Sequence, residues 1–244
     1  MPIVDPVLIS HDGPPDISVW RVDIPLAASL TDTAFSSLSS DERARAQAFR
    51  RHEDALRFAT VRAALRERLA ARLDIEPHAV RFALDANRRP HLADSTSLDF
   101  NVSHAGAHGV VAMSALRRVG VDIEACSDRF DWRSITTLTL AADEAAWIEC
   151  LAMPSRAAAF YDAWVAKEAL VKTTGVGIAR GLQHLSVLPR ESTAFWLRAH
   201  VPEGMRDLQG CWLPAPQTYA AGLAWSASAP RQACCDSAFG QPIA

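Results

Sequence analysis

The chain has 244 residues, 25 of them Lys or Arg against 28 Asp or Glu, a net charge of −3, and 49% hydrophobic residues. That length buries a sizeable core as one larger or two smaller domains. The near-balanced charge excludes a global electrostatic case for binding nucleic acid or a membrane surface.

The first residues lack the basic and apolar regions of a signal peptide. Residues 17–23 alternate apolar and polar positions and predict a half-buried strand. Ser39, Ser40, Asp41 and Glu42 supply helix-start chemistry, and the Ala- and Arg-rich stretch to about Leu73 predicts two helices broken near Arg51 and His52. A strand is expected at residues 80–84, a basic turn at Asn87, Arg88, Arg89 and Pro90, and an antiparallel pair at 98–103 and 109–114. Residues 119–124 follow as a further strand. A second helical region covers 141–173: a helix over 143–151, a break at Pro154, and a longer helix over 156–173 ended by Gly175 and Gly177. Short strands are expected at 183–189, 193–199, 210–213 and 218–227. Each half thus offers helices followed by strands, which predicts an α+β protein of two similar lobes, residues 1–116 and 117–230, with a flexible tail over 231–244. No apolar run is long enough to cross a bilayer, and the five cysteines lack metal-finger spacing, so reduced thiols in the cytoplasm are expected.

The chemistry concentrates in two motifs. Asp122 and Glu124 stand one residue apart at the end of an apolar run, and side chains at i and i+2 of a strand share a face. With Glu168 in the segment Trp164-Val165-Ala166-Lys167-Glu168-Ala169-Leu170-Val171-Lys172, they form a donor set for Mg2+. That ion favours a few carboxylates together with phosphate oxygens and water. Lys172, one helical turn after Glu168, adds a charge suited to phosphate. Each motif alone has a plainer reading, a surface turn in one case and a solvated helix face in the other. Arg-rich residues 43–89 facing mainly acidic residues 122–149 would suit a polyanionic ligand spanning both.

In order along the chain, Phe100-Asn101-Val102-Ser103-His104, Gly120-Val121-Asp122-Ile123-Glu124 and the Trp164 to Lys172 segment resemble the signature of the 4′-phosphopantetheinyl transferases. Asp54-Ala55-Leu56-Arg57, Arg89-Pro90 and Gly175-Val176-Gly177 extend the resemblance over roughly residues 39–180. Length favours the longer type of that family, a monomer of two pseudo-symmetric lobes. The resemblance implies transfer of the phosphopantetheine arm of coenzyme A to a serine of an apo carrier protein, with adenosine 3′,5′-bisphosphate released. It implies Asp122, Glu124 and Glu168 as Mg2+ ligands, Lys172 on the pyrophosphate, and Ser103 and His104 against the phosphates of coenzyme A. Arg57 and Arg89 match positions for the 3′-phosphate and adenine end, where Arg43 or Arg45 is a further candidate. Glu168, or a water on the metal, would take the serine proton, and Trp164 reads as core.

Two other classes share these residues: a Mg2+-dependent phosphohydrolase of coenzyme A or a nucleotide, and a non-catalytic module binding coenzyme A or a carrier. Phe130, Trp132, Ile135 and Leu138 form a partly apolar stretch that would accept a carrier helix or serve as a plain core face.

Overall fold

The computed structural model describes residues 6–94, 97–127, 129–175, 181–198 and 204–227. The expected tail over 231–244, and Gly177, lie outside them. Two strands, β1 (Val7–Leu8) and β2 (Ile17–Asp23), precede the helices α1 (Ser40–Gln47) and α2 (His52–Leu73). A capping box starts α1, with Glu42 N donating to Ser39 Oγ and Ser39 N donating to the Glu42 carboxylate. The hairpin of β3 (Phe82–Leu84) and β4 (Pro90–Leu92) encloses the basic turn. Then come β5 (Asp99–Ala105), β6 (His108–Ser114) and β7 (Val119–Ala125). The helices α3 (Thr136–Thr139), α4 (Ala142–Cys150) and α5 (Met153–Thr174) follow, and the strands β8 (Ala194–Phe195), β9 (Leu208–Trp212) and β10 (Tyr219–Ser226) complete the order.

Two four-stranded antiparallel sheets result, β1-β2-β6-β5 and β7-β10-β9-β8, and each carries one 22-residue helix, α2 or α5. Strand alternation decides what each face meets. Val22, Phe100, Val111 and Met113 pack with Leu56, Val61, Leu65 and Leu69 of α2. On the other side, Trp212, Ala220 and Ala224 pack with Phe160, Ala163, Ala166 and Leu170 of α5. The remaining faces meet each other, with Val19, Val110 and Ala112 against Val121, Ile123, Leu223 and Trp225. The order of layers is therefore helix, sheet, sheet, helix, and β6, β7 and β10 are buried on both faces. That double burial explains why these strands read as continuous apolar runs rather than alternating ones.

The α+β two-lobed architecture is as expected, with local differences. Pro154 does not break a helix; it lies in the first turn of α5, where its missing N–H is no loss. Residues 183–189 form a short 3-10 turn (Leu182–His184) and an extended stretch, and over 193–199 only Ala194–Phe195 pair as a strand. Their apolar residues Leu185, Val187 and Leu188 are buried, which gives a strand-like sequence without a partner strand. No described helix is long and apolar enough to cross a membrane.

Candidate active site

The site forms where β5 of the first sheet, β7 of the second and the C-terminal half of α5 converge. Gly120 lets α5 approach β7 closely, since a Cβ there would stand 2.1 Å from the Ala169 carbonyl oxygen. Gly175, in the left-handed region at φ 77°, ends α5 with its N–H donating to the Val171 carbonyl at 3.1 Å. Between these fixed points Glu168 and Lys172, four residues apart, present one face of α5 towards β7.

Asp122 is 2% exposed and is the hub. Its Oδ1 accepts from Ser103 Oγ at 2.8 Å and from Lys172 Nζ at 2.5 Å, while Lys172 Nζ also donates to Ser103 Oγ at 3.0 Å. Its Oδ2 and Glu168 Oε1 are buried without a hydrogen-bond partner. Burial, then the neighbouring Asp122 charge, pushes Glu168 up to about 7 against an opposing pull from Lys172. Glu124 rises to about 7 as well, by burial first, then by Asp122, and it too is opposed by Lys172. A buried carboxylate cluster with two orphaned oxygens and a single ammonium is short of positive charge.

Among the described residues no group of three His, Cys, Asp or Glu side chains already stands in a ligating arrangement. The donor chemistry nonetheless fits a hard divalent cation. Asp122, Glu124 and Glu168 offer only oxygens, two of those oxygens lack a partner, and the raised carboxyls mark missing positive charge.

A basic group borders this cluster. His104 lies near the end of β5, and its pKa is lowered, by desolvation first and then by the charges of Lys172 and Arg57, which favours the neutral imidazole. Arg57 Nε donates to the Gly106 carbonyl at 2.8 Å and its Nη1 to Asp54 at 2.6 Å, which aims the guanidinium at the β5–β6 turn. That turn is held from the other lobe, since Ala107 N donates to Tyr219 Oη at 3.0 Å.

Residues 118–224 match the family model of the 4'-phosphopantetheinyl transferase superfamily, and residues 25–116 match that of the 4'-phosphopantetheinyl transferase N-terminal region. The 4'-phosphopantetheinyl transferase HetI of Nostoc is 31% identical over 68% of this chain and 71% of its own. The chain belongs to the 4′-phosphopantetheinyl transferase superfamily. A putative 4'-phosphopantetheinyl transferase of Synechocystis is 36% identical, and the match spans 64% of this chain and 64% of that relative. A 4'-phosphopantetheinyl transferase of Bacillus subtilis is 25% identical over 68% of this chain and 73% of its own.

In this superfamily member Ser103, Asp122, Glu124, Glu168 and Lys172 form one charged cluster with His104 and Arg57 beside it, and Arg89 does not join them. Its side chain is 6% exposed, and Nη2 donates to Asp99 at 2.6 Å, to the Phe100 carbonyl at 3.1 Å and to the Val119 carbonyl at 2.9 Å. Nη1 donates to the Lys172 carbonyl. The guanidinium is thus committed to protein oxygens inside the junction between lobes. Arg43 and Arg45 also stand apart, the first donating to the Ser36 carbonyl and the second lying 4.7 Å over the Phe58 ring.

Lys167 points away from its neighbour Glu168. It is fully buried in a salt bridge with Glu144, whose other oxygen accepts Val187 N at 2.8 Å and Leu188 N at 3.2 Å. The pair locks α5 to α4 and to the stretch after it. Trp164 has a polar part that sequence reasoning missed. It packs on Phe160 at 5.6 Å between ring centroids, as a core residue does, but it also lies beside Glu124 and opposes the rise of that carboxyl. An indole can only donate, so Trp164 supports the charged form of that carboxylate. Its spacing of one turn before Glu168 was the available signal.

Proposed function

We propose that the chain transfers the 4′-phosphopantetheine group of coenzyme A to a serine hydroxyl of an apo acyl or peptidyl carrier protein, releasing adenosine 3′,5′-bisphosphate. The observation that carries this reading is the meeting of a basic group and a charge-deficient carboxylate cluster: Arg57, His104 and Lys172 beside Asp122, Glu124 and Glu168. A pyrophosphate bearing a nucleotide on one side needs both, anion contacts for its charge and hard oxygens for its counter-ion.

In this reading Arg57 and His104 receive the adenine and 3′-phosphate end, and Lys172, with the Ser103 hydroxyl, faces the pyrophosphate. Asp122, Glu124 and Glu168 would hold Mg2+, which when bound supplies neutralisation of the pyrophosphate and of the departing oxygen. Glu168, buried beside Asp122, takes the proton of the carrier serine. The serine oxygen forms its bond to the β-phosphorus as the bond from that phosphorus to the bridging oxygen breaks, and the nucleotide leaves as the bisphosphate. Arg89 acts from the junction between lobes, without touching the nucleotide.

The carrier would dock beside α5, at a cavity of about 320 Å3 lined by Arg129, Phe130, Trp132, Arg133 and Met153. Phe130 and Met153 expose apolar surface there, whereas Trp132 stacks on Phe160 and belongs to the core. Two arginines around apolar contacts suit an acidic amphipathic helix. A monomer in the cytoplasm would serve this chemistry.

The test is intact-mass measurement of apo carrier proteins after incubation with coenzyme A and Mg2+. One phosphopantetheine should be gained, and Glu168→Ala should lower kcat/KM by about 100- to 10,000-fold. A protein that binds coenzyme A and modifies no carrier, or that releases phosphopantetheine without one, would overturn the proposal.

A further inference from the structure

The two sheets abut at β5 and β7, and these edge strands are not joined by a backbone ladder. Side chains from one face of β5 take the ladder's place. Asp99 Oδ2 accepts Val119 N at 2.8 Å, Asn101 Oδ1 accepts Val121 N at 3.0 Å, and Ser103 Oγ donates to Asp122 Oδ1 at 2.8 Å. Residues 99, 101 and 103 share a face because strand side chains alternate, while Phe100 and Val102 turn to the core under α2. The rungs advance in the same direction on both strands, so β5 and β7 run parallel across the junction. Arg89 braces the first rung by donating to Asp99, to both strands' carbonyls and to the Lys172 carbonyl of α5.

These side chains, together with Arg89, Lys172 and the Tyr219 hydroxyl at the β5–β6 turn, fix how far β7 stands along β5. His104 and the turn held by Arg57 belong to the first lobe, and Asp122 and Glu124 to the second, so the rungs set the spacing between the two halves of the cleft. Asn101 is the central rung, and its acceptor is the hydrogen-bond partner of the Val121 amide, two atoms of main chain from Asp122.

We propose that Asn101 is a positioning residue that sets the register of the two lobes, and thereby the distance between the nucleotide contacts and the carboxylate cluster. It touches no reacting atom. The consequence for ligands rests on the transferase reading, but the consequence for the junction does not. Coenzyme A must span both halves, so it senses the register. Adenosine 3′,5′-bisphosphate in the presence of a chelator relies on the first half alone and does not.

Asn101→Ala removes the rung from a half-buried position that water can enter, so folding is expected to survive, as a thermal melt would show. In the wild type the Val121 amide should be protected from hydrogen exchange although it lies on a sheet edge, and in Asn101→Ala it should exchange at least tenfold faster. By calorimetry the variant should bind coenzyme A with Mg2+ about tenfold more weakly while its affinity for adenosine 3′,5′-bisphosphate in chelator stays within twofold. Asn101→Asp, which keeps an acceptor at the same reach, should recover most of that loss. Unchanged exchange at Val121, or equal weakening of both ligands, would overturn the proposal. A wild type that binds neither ligand would overturn the transferase reading instead, and the exchange result would still decide the junction. Should Asn101→Ala fail to fold, Asn101→Leu, which keeps the volume but offers no acceptor, carries the same pair of ligand measurements and the same exchange readout at Val121.

Discussion

Lys167 and Glu168 are adjacent in the chain and opposite in environment. Lys167 is fully buried and its pKa is lowered, by burial before the raising effect of Glu144, whereas Glu168, also buried, sits beside Asp122 with Oε1 unpartnered. Breaking a buried pair leaves a lone charge, so Lys167→Met should destabilise the fold by ~3–5 kcal/mol in denaturant titration, and a change under 1 kcal/mol would contradict that account. The raised carboxyls set a pH dependence. Glu124 and Glu168 rise from an ordinary 4.5 to about 7 in the folded chain, so between those values the native state holds protons that the unfolded state has released. Their contribution to stability is complete below about 4.5 and is lost as pH rises through about 7. In chelator the melting temperature should therefore be lower at pH 8 than at pH 6, Mg2+ should narrow the gap, and the double variant Glu124→Gln, Glu168→Gln should abolish it.

At the scale of elements, the close packing of α5 on β7 makes Gly120 an obligate glycine rather than a flexible one. An added methyl would meet Ala169 carbonyl oxygen at 2.1 Å and Thr173 Oγ1 at 2.5 Å, and the first of these is helix backbone that cannot rotate away. Gly120→Ala should cost ~1–3 kcal/mol of stability and lower transfer activity, because separating α5 from β7 also separates Glu168 from Asp122. A variant with wild-type stability would show that the helix shifts freely. The element order was largely legible in the sequence: Ser39 to Glu42 carries a capping signal, and residues 17–20 alternate cleanly. The strand expected at 183–189 was not legible as loop, since its burial comes from packing under α4 and α5 rather than from pairing. Pro154 was ambiguous for a different reason, because proline ends one helix and opens another with the same chemistry.

At the scale of the whole molecule, the proposed docking of an acidic carrier rests on Arg129 and Arg133, which flank Asp131 beside Phe130 and Met153. Arg129→Glu with Arg133→Glu should slow carrier association, and the slowing should shrink as ionic strength rises, while coenzyme A affinity stays the same. Stopped-flow rates insensitive to both the substitutions and salt would remove this face as the docking surface. The layered arrangement also explains how two lobes act as one site: the central apolar layer holds the sheets together, and the polar face of β5 fixes their offset.

What the sequence by itself determined was the inventory and its local spacing. Carboxylates two apart on a strand share a face, residues four apart on a helix share another, and three ordered motifs sufficed to point to the family. Tertiary structure alone decided which basic residues reach the cleft. Arg57 and Arg89 are indistinguishable as sequence letters near matching motifs, yet one guanidinium lies at the β5–β6 turn and the other is enclosed by carbonyls from both lobes. It also decided the role of Asn101, whose partner lies 20 residues along the chain on another sheet. The physical reason is the same in both cases. Periodicity encodes which side of an element a residue occupies, but what waits on that side is set by how the two sheets stack, and no local pattern records it.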